Sequence, residues 1–490
     1  MRFCRFFVFA FLFLFFNNSV EGFTTRSKTI TYANFNYIKY IASSISHVYF
    51  ATTNGIIRFN KLDNRWEEPL TDSEDIDHQD IDRIWVDNFD EKIYIRSSSD
   101  LYEFDSLFNR WYPIDEIPRL DNSYIHINPP QIMYPPAGYN FSSEGYIIDQ
   151  YGRNYYINDM IDDRSGNYWI GTWGLGPALA GSVSHILELI PYGLIQNRVN
   201  TIYNDNGMLW VSGATYTSFR SGVTVFNQEE NSFTYFESGM RNDFPVADIN
   251  CIEGDDHYIY LGTSLGLLFL NRETNEIEKT ITDRTGLPDN EVLSLKTVGD
   301  SVFIGTAGGL CLINEAEDSV QILIPQQFYN IEIHDFETTD STLWIATAIG
   351  AFQLHRRTGK LQQFRDPHLI VFSHAYNIEL YNNDIWFASD EGIVRLNLIS
   401  GETQAFVSIS RNVRSRPLAV NDEIAVVASE RGMTIYFLGD KDHPFEREFT
   451  TDDGLPSDNI YCLLIDGDFI WIGSDKGLTR FLWNDPDRID

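Results

Sequence analysis

"TTDDGLPSDNIYCLLIDGDFIWIGSDKGLTRF", residues 450–481, carries a turn phrase, two apolar alternating runs joined by a polar turn, a small residue, and a third run. Alternation of period two, bounded by Gly, Asn and Asp, writes strands and tight hairpins. The run IWIGS (470–474) returns as YWIGT (168–172), LWVSG (209–213), IYLGT (259–263), VFIGT (302–306), LWIAT (343–347), IWFAS (385–389) and AVVAS (425–429). Weaker copies stand at VYFAT (48–52) and IYIRS (93–97). The fourth residue of each copy, the mark, falls at 51, 96, 171, 212, 262, 305, 346, 388, 428 and 473, and all neighbouring marks but one pair lie 40–50 residues apart.

Around each mark the grammar is constant: an alternating run and a polar turn before it, a Gly-containing turn and another run after it, then a short closing run such as NSFTYF or GKLQQF. Four antiparallel strands in roughly 42 residues make one blade of a β-propeller. A small residue at the mark lets neighbouring sheets approach face to face. The expected fold is therefore all-β: a propeller of about ten four-stranded antiparallel blades in a single ring. The alternative is a ring of seven or eight blades with the first two or three units packed separately, since units one and two match worst. The tenth unit lacks a fourth strand, and Thr29–Tyr32 is expected to supply it, closing the ring and hiding its edges.

Lys+Arg 36 against Asp+Glu 70 gives a formal charge of −34, which repels phosphate backbones and anionic bilayers and excludes a nucleic-acid partner. Hydrophobic content of 43% is ample for a packed core. The N-terminus, MRFCRFFVFAFLFLFFNNSVEG, has Arg2 and Arg5 ahead of an apolar run too short to span a bilayer, and Val20 and Gly22 suit a cleavage rule. Residues 1–22 read as a signal peptide, with a retained anchor as the alternative. Residues 23–490 then form the propeller, without a membrane span, secreted or periplasmic. Cys251, Cys311 and Cys462 lie within apolar runs and read as free thiols in the core.

The turn phrases TGLPDNEV (285–292) and DGLPSDNI (453–460), combined with IWIGSDKGLTRF, resemble the two-component regulator propeller repeat. The resemblance covers nearly all of the mature chain and implies a periplasmic sensor-type propeller. Receptors of that kind continue into a membrane helix, a kinase and output domains, and this sequence has none of these. It looks like a free-standing propeller.

The chemistry of catalysis is sparse. No His pair has metal-ligand spacing, GLGPALAG (174–181) lacks the helix and Lys of a phosphate loop, and no G-x-S-x-G elbow occurs. Most carboxylates stand in turns, where Asp bonds to its own backbone. No metal, no cofactor and no enzyme activity is expected.

The one wide spacing marks an insertion, residues 116–156, rich in Tyr, Pro and Asn. Strand order puts it on the same rim as two unusual turns, WGLGPALAGS (173–182) and ATYTSFRSG (214–222). Trp173, Tyr216, Arg220, Tyr134 and Tyr139 are the expected ligand-binding residues, for aromatic rings stack on sugar faces and peptide side chains at low entropic cost. The expected function is a sensor- or scaffold-type binder of a glycan or an envelope protein. Two alternatives remain. A polysaccharide lyase would draw on Tyr134, Tyr139, His126 and Arg220, and a structural module would join an envelope complex by its acidic rim.

Overall fold

The structure, a computed structural model, describes residues 29–485 except 72–80, 107–109, 122–123, 130–132, 215–219, 238–243, 245–246, 315–318, 323–327, 366–373, 390–391, 408–416, 430 and 440–444. The expected signal peptide and Tyr216 lie outside the described residues.

Each repeat unit folds into one antiparallel sheet whose four strands follow in chain order. Numbered by unit, the sheets begin at residues 38, 81, 154, 201, 249, 292, 333, 375, 418 and 460. Sheet 10 has three strands of its own, and Thr29–Tyr32 adds the fourth, with Thr29 opposite Phe481 and Tyr32 opposite Leu478. The expected closure by the N-terminal strand is what the structure has. Sheet 3 is extended by strands of the insertion, Tyr139–Phe141 and Ile147–Asp149, and by Ile125–His126.

The ten sheets do not make one ring. The first strands of sheets 4 to 10 stand side by side in order, and sheet 10 returns to sheet 4, closing a ring of seven. Sheets 1, 2 and 3 form a separate arc in which Ile38–Ser43 of sheet 1 lies between Ile81–Val86 of sheet 2 and Asn154–Asp162 of sheet 3. The expectation of a single ten-bladed ring is thereby corrected in favour of the smaller ring with the first three units apart. The physical reason lies at the marks. A Cβ at Gly262 would stand 2.7 Å from Val292, one at Gly305 2.8 Å from Ile333, one at Gly473 2.7 Å from Val199 and one at Gly171 2.5 Å from Ile38. Each mark thus admits the first strand of the following sheet, and sheet 3 admits that of sheet 1 while sheet 10 admits the entry to sheet 4. Val199 N–H also donates to Ser474 C=O at 2.9 Å across that closure. In unit two the mark is Arg96, exposed and 3.8 Å from Asp82, where the other marks are Gly, Ala or Ser.

Chain crossings join arc to ring. Residues 33–37 leave the ring and 192–197 return to it, pairing at Asn34 and Gly193. The hydrophobic core is continuous across them: Phe50, Tyr192 and Trp169 of the arc side belong to one cluster with Val211, Phe226 and Trp471 of the ring. Trp66 stacks on Tyr192 at 4.9 Å, and Tyr192 meets Phe233 edge-on at 4.9 Å. Cys251, Cys311 and Cys462 are free, Cys311 fully buried and the other two partly.

Candidate functional site

Where the arc meets the ring, a cavity of about 370 Å³ opens on the rim, walled by Tyr37, Arg153, Asn154, Tyr155, Trp173, Gly174 and Arg220. Four stretches build it. Tyr37 precedes the first strand of sheet 1, Gly152–Tyr155 ends the insertion, Trp173–Gly174 starts the turn between the second and third strands of sheet 3, and Arg220 ends the equivalent turn of sheet 4. Tyr37 and Trp173 pair their backbones and meet edge to face at 5.3 Å. Gly174 has φ +109, and a Cβ there would press to 3.0 Å on the Tyr155 ring. The turn takes glycine because the ring sits directly against its backbone.

The polar groups are fixed in advance. Arg220 donates from Nε and Nη2 to the two oxygens of buried Glu237, both at 2.6 Å, and from Nη1 to Gly174 C=O at 2.7 Å. Burial works against its charge, yet the Glu237 bonds outweigh that and hold the guanidinium above its ordinary value. Arg153 Nε pairs with Asp149, whose carboxylate also accepts from the Tyr155 hydroxyl at 3.1 Å and from the backbone N–H of Tyr151 at 2.9 Å. Burial raises the Tyr155 phenol and pushes the Tyr139 phenol up to about 12, so both stay protonated hydrogen-bonding groups. With each arginine matched to a carboxylate, the cavity presents aromatic faces and neutralised polar groups.

Of the expected site residues, Trp173, 38% exposed, and Arg220 share this cavity. Tyr139 is buried behind it, against Tyr155 at 6.5 Å. Tyr134 is elsewhere, exposed and bonded to His185 C=O along the edge of sheet 3. His126 belongs to a different cavity, of about 300 Å³, where it pairs with Asp159 at 2.8 Å. The set that a lyase would need is not brought together. Tyr37, Arg153 and Tyr155 were missed; Arg153 and Tyr155 stand at the C-terminal end of the insertion, which is the signal that could have found them, whereas Tyr37 comes from the approach to sheet 1.

A third cavity, of about 500 Å³, runs down the axis of the seven-sheet ring between its first strands. Lys296 Nζ holds Glu337 at 2.8 Å, and Thr297 Oγ1 donates to Glu253 at 2.9 Å. Asp335 accepts from the backbone of Ile378 at 2.9 Å, and burial pushes its carboxyl up to about 7. Burial, with Glu337 and Asp335 nearby, pushes Glu379 up to about 8. Arg198 lies 4.2 Å over the Tyr461 ring on the opposite wall. Among the described residues, no cluster of three His, Cys, Asp or Glu is arranged to hold a metal ion, and no helix is long and apolar enough to cross a membrane.

This architecture defines a β-propeller protein. No protein-family model matches the chain, and no curated protein matches it. Among solved structures it is similar to PorZ, an essential surface component of the type-IX secretion system of Porphyromonas gingivalis. That match has 14% identity over 91% of this chain and 68% of PorZ, with TM-score 0.50. It is similar as well to the extracellular domain of the putative hybrid two-component system BT3049 of B. thetaiotaomicron, at 18% identity and TM-score 0.48, with 90% of this chain and 60% of that one covered. The corresponding domain of BT4673 gives 13%, 0.47, 91% and 70%. At such identities the likeness is one of fold.

Proposed function

We propose that the chain is an exported, non-catalytic binding propeller whose ligand, a glycan, lies in the cavity between arc and ring. One observation carries this reading: Tyr37, Tyr155 and Trp173 meet in a single preformed cavity beside an arginine already neutralised by Glu237. Stacking faces with fixed, uncharged-overall polar groups suit a sugar ring better than an ion. A binding role for an envelope protein draws support from the likeness to a secretion-system surface component and would use the wider rim.

The test is calorimetric titration of residues 23–490 with a panel of neutral oligosaccharides. The expected result is binding by at least one of them, weakened about tenfold or more in Trp173→Ala, the size of loss usual for an aromatic anchor. Tyr134→Ala, which lies off the cavity, is expected to bind as the native chain does. Equal affinity in Trp173→Ala would remove the glycan site from this cavity.

A further inference from the structure

Sheet 2 is the end of the arc. On one side it packs on sheet 1 through Ile84, Val86, Ile93, Phe104 and Trp111. Its mark is the exposed Arg96. At the rim, Glu91 of its first turn, a non-glycine residue with φ 55, fastens that turn to sheet 1. Glu91 accepts from Ser44 Oγ at 2.9 Å, from Ser46 Oγ, and from His47 Nδ1 at 2.9 Å. The other nitrogen of His47, Nε2, faces Glu67 Oε1 at 3.1 Å.

A carboxylate only accepts hydrogen bonds, so a ring with a carboxylate at each nitrogen must carry a proton on both. The His47 side chain is 14% exposed, and the pair therefore forms in a partly dry setting. We propose that His47 is a pH-sensitive latch: as an imidazolium it tightens the first turn of sheet 2 onto sheet 1, and on losing its proton it turns a lone pair on a carboxylate and loosens that turn, leaving Ser44 and Ser46 as its remaining ties.

The groups around it are consistent. From sheet 1, Arg58 Nε holds Glu67 at 2.9 Å and Asn60 Nδ2 donates to it at 3.1 Å, while Lys61 Nζ binds Ser44 C=O at 2.6 Å. The Tyr49 ring lies 5.9 Å away. From sheet 2 the facing group is Glu91, and from sheet 3 Asp163 acts on Lys61. The bond to Glu67, partly opposed by burial, raises His47 above its ordinary 6.5, and the same bond lowers Glu67 to about 2. The latch is thus closed below the raised value of His47, down to where the carboxylates protonate. It opens as pH rises through the raised value of His47.

Hydrogen exchange of residues 23–490 at pH 6 and pH 9, corrected for intrinsic rate, tests this. Protection across residues 87–93 is expected to fall roughly threefold or more at the higher pH. In His47→Gln it is expected to be low at both. Glu91→Gln, which leaves the histidine in place and removes its partner on sheet 2, is expected to behave the same way. Equal protection at the two pH values in the native chain, or a pH dependence that survives in either variant, would overturn the proposal.

Discussion

At the scale of single residues the fold turns on what stands at the marks. Glycine there is a matter of contact, since the atoms a Cβ would meet at Gly262 belong to Cys251 of its own sheet and Val292 of the next. Unit two carries the long, exposed Arg96 at the same place. The buried acids of the axis have a different consequence. Glu379 titrates near 8 when folded against an ordinary 4.5, and Asp335 near 7 against 3.8. Between those values the folded chain holds more protons than the unfolded chain, so stability falls as pH rises from about 4 to about 8. Glu379→Gln, which keeps the shape and cannot ionise, is expected to raise the thermal midpoint at pH 9 by about 2 °C or more. At pH 5, where the native acid is already protonated, the midpoint should stay where it was. Scanning fluorimetry at both values checks this, and a variant less stable than the native chain at pH 9 would contradict it.

Among the elements, Thr29–Tyr32 has the largest task for its length. Its pairing with Leu478–Leu482 covers the outer edge of sheet 10, and Thr31 Oγ1 meets Thr479 Oγ1 at 3.0 Å in the interior. Removing residues 23–32 keeps the crossing at 33–37 but bares that edge. The shortened chain is expected to melt earlier and to self-associate on size-exclusion chromatography, as open strand edges do. A monomer of unchanged midpoint would show the strand to be dispensable. This strand was legible in the sequence because a three-strand unit at one end and an unassigned strand at the other are complementary. Blade number was less so: the units themselves have about the same length in ring and arc, and the local signs of a break were the poor match of units one and two and the Arg96 at a mark. The axial acids could have been found. Glu253, Lys296, Glu337 and Glu379 each stand nine residues before their marks, a register that puts successive units on one wall. The rim cavity was half visible, through Trp173 and Arg220. Tyr37 escaped notice because the arc folds back on itself and brings residue 37 beside residue 173, a contact that depends on topology and leaves no trace in local pattern.

The whole molecule is a seven-sheet ring into which a three-sheet arc is inserted, between the strand that completes sheet 10 and the entry to sheet 4. Because one core runs through both parts, the cavity between them has fixed walls, and its aromatic faces are set before any ligand arrives. Two cavities then compete as the binding place: the aromatic one on the rim, neutral overall, and the axial one, crowded with acids. They draw on different stretches of chain. Hydrogen exchange of residues 23–490, with and without the tightest-binding neutral oligosaccharide, separates them in one experiment. The account predicts new protection at 152–155, 173–176 and 220–222, with the axial strands unchanged. Protection at 250–253, 334–337 and 376–379 instead would place the ligand on the axis and contradict it.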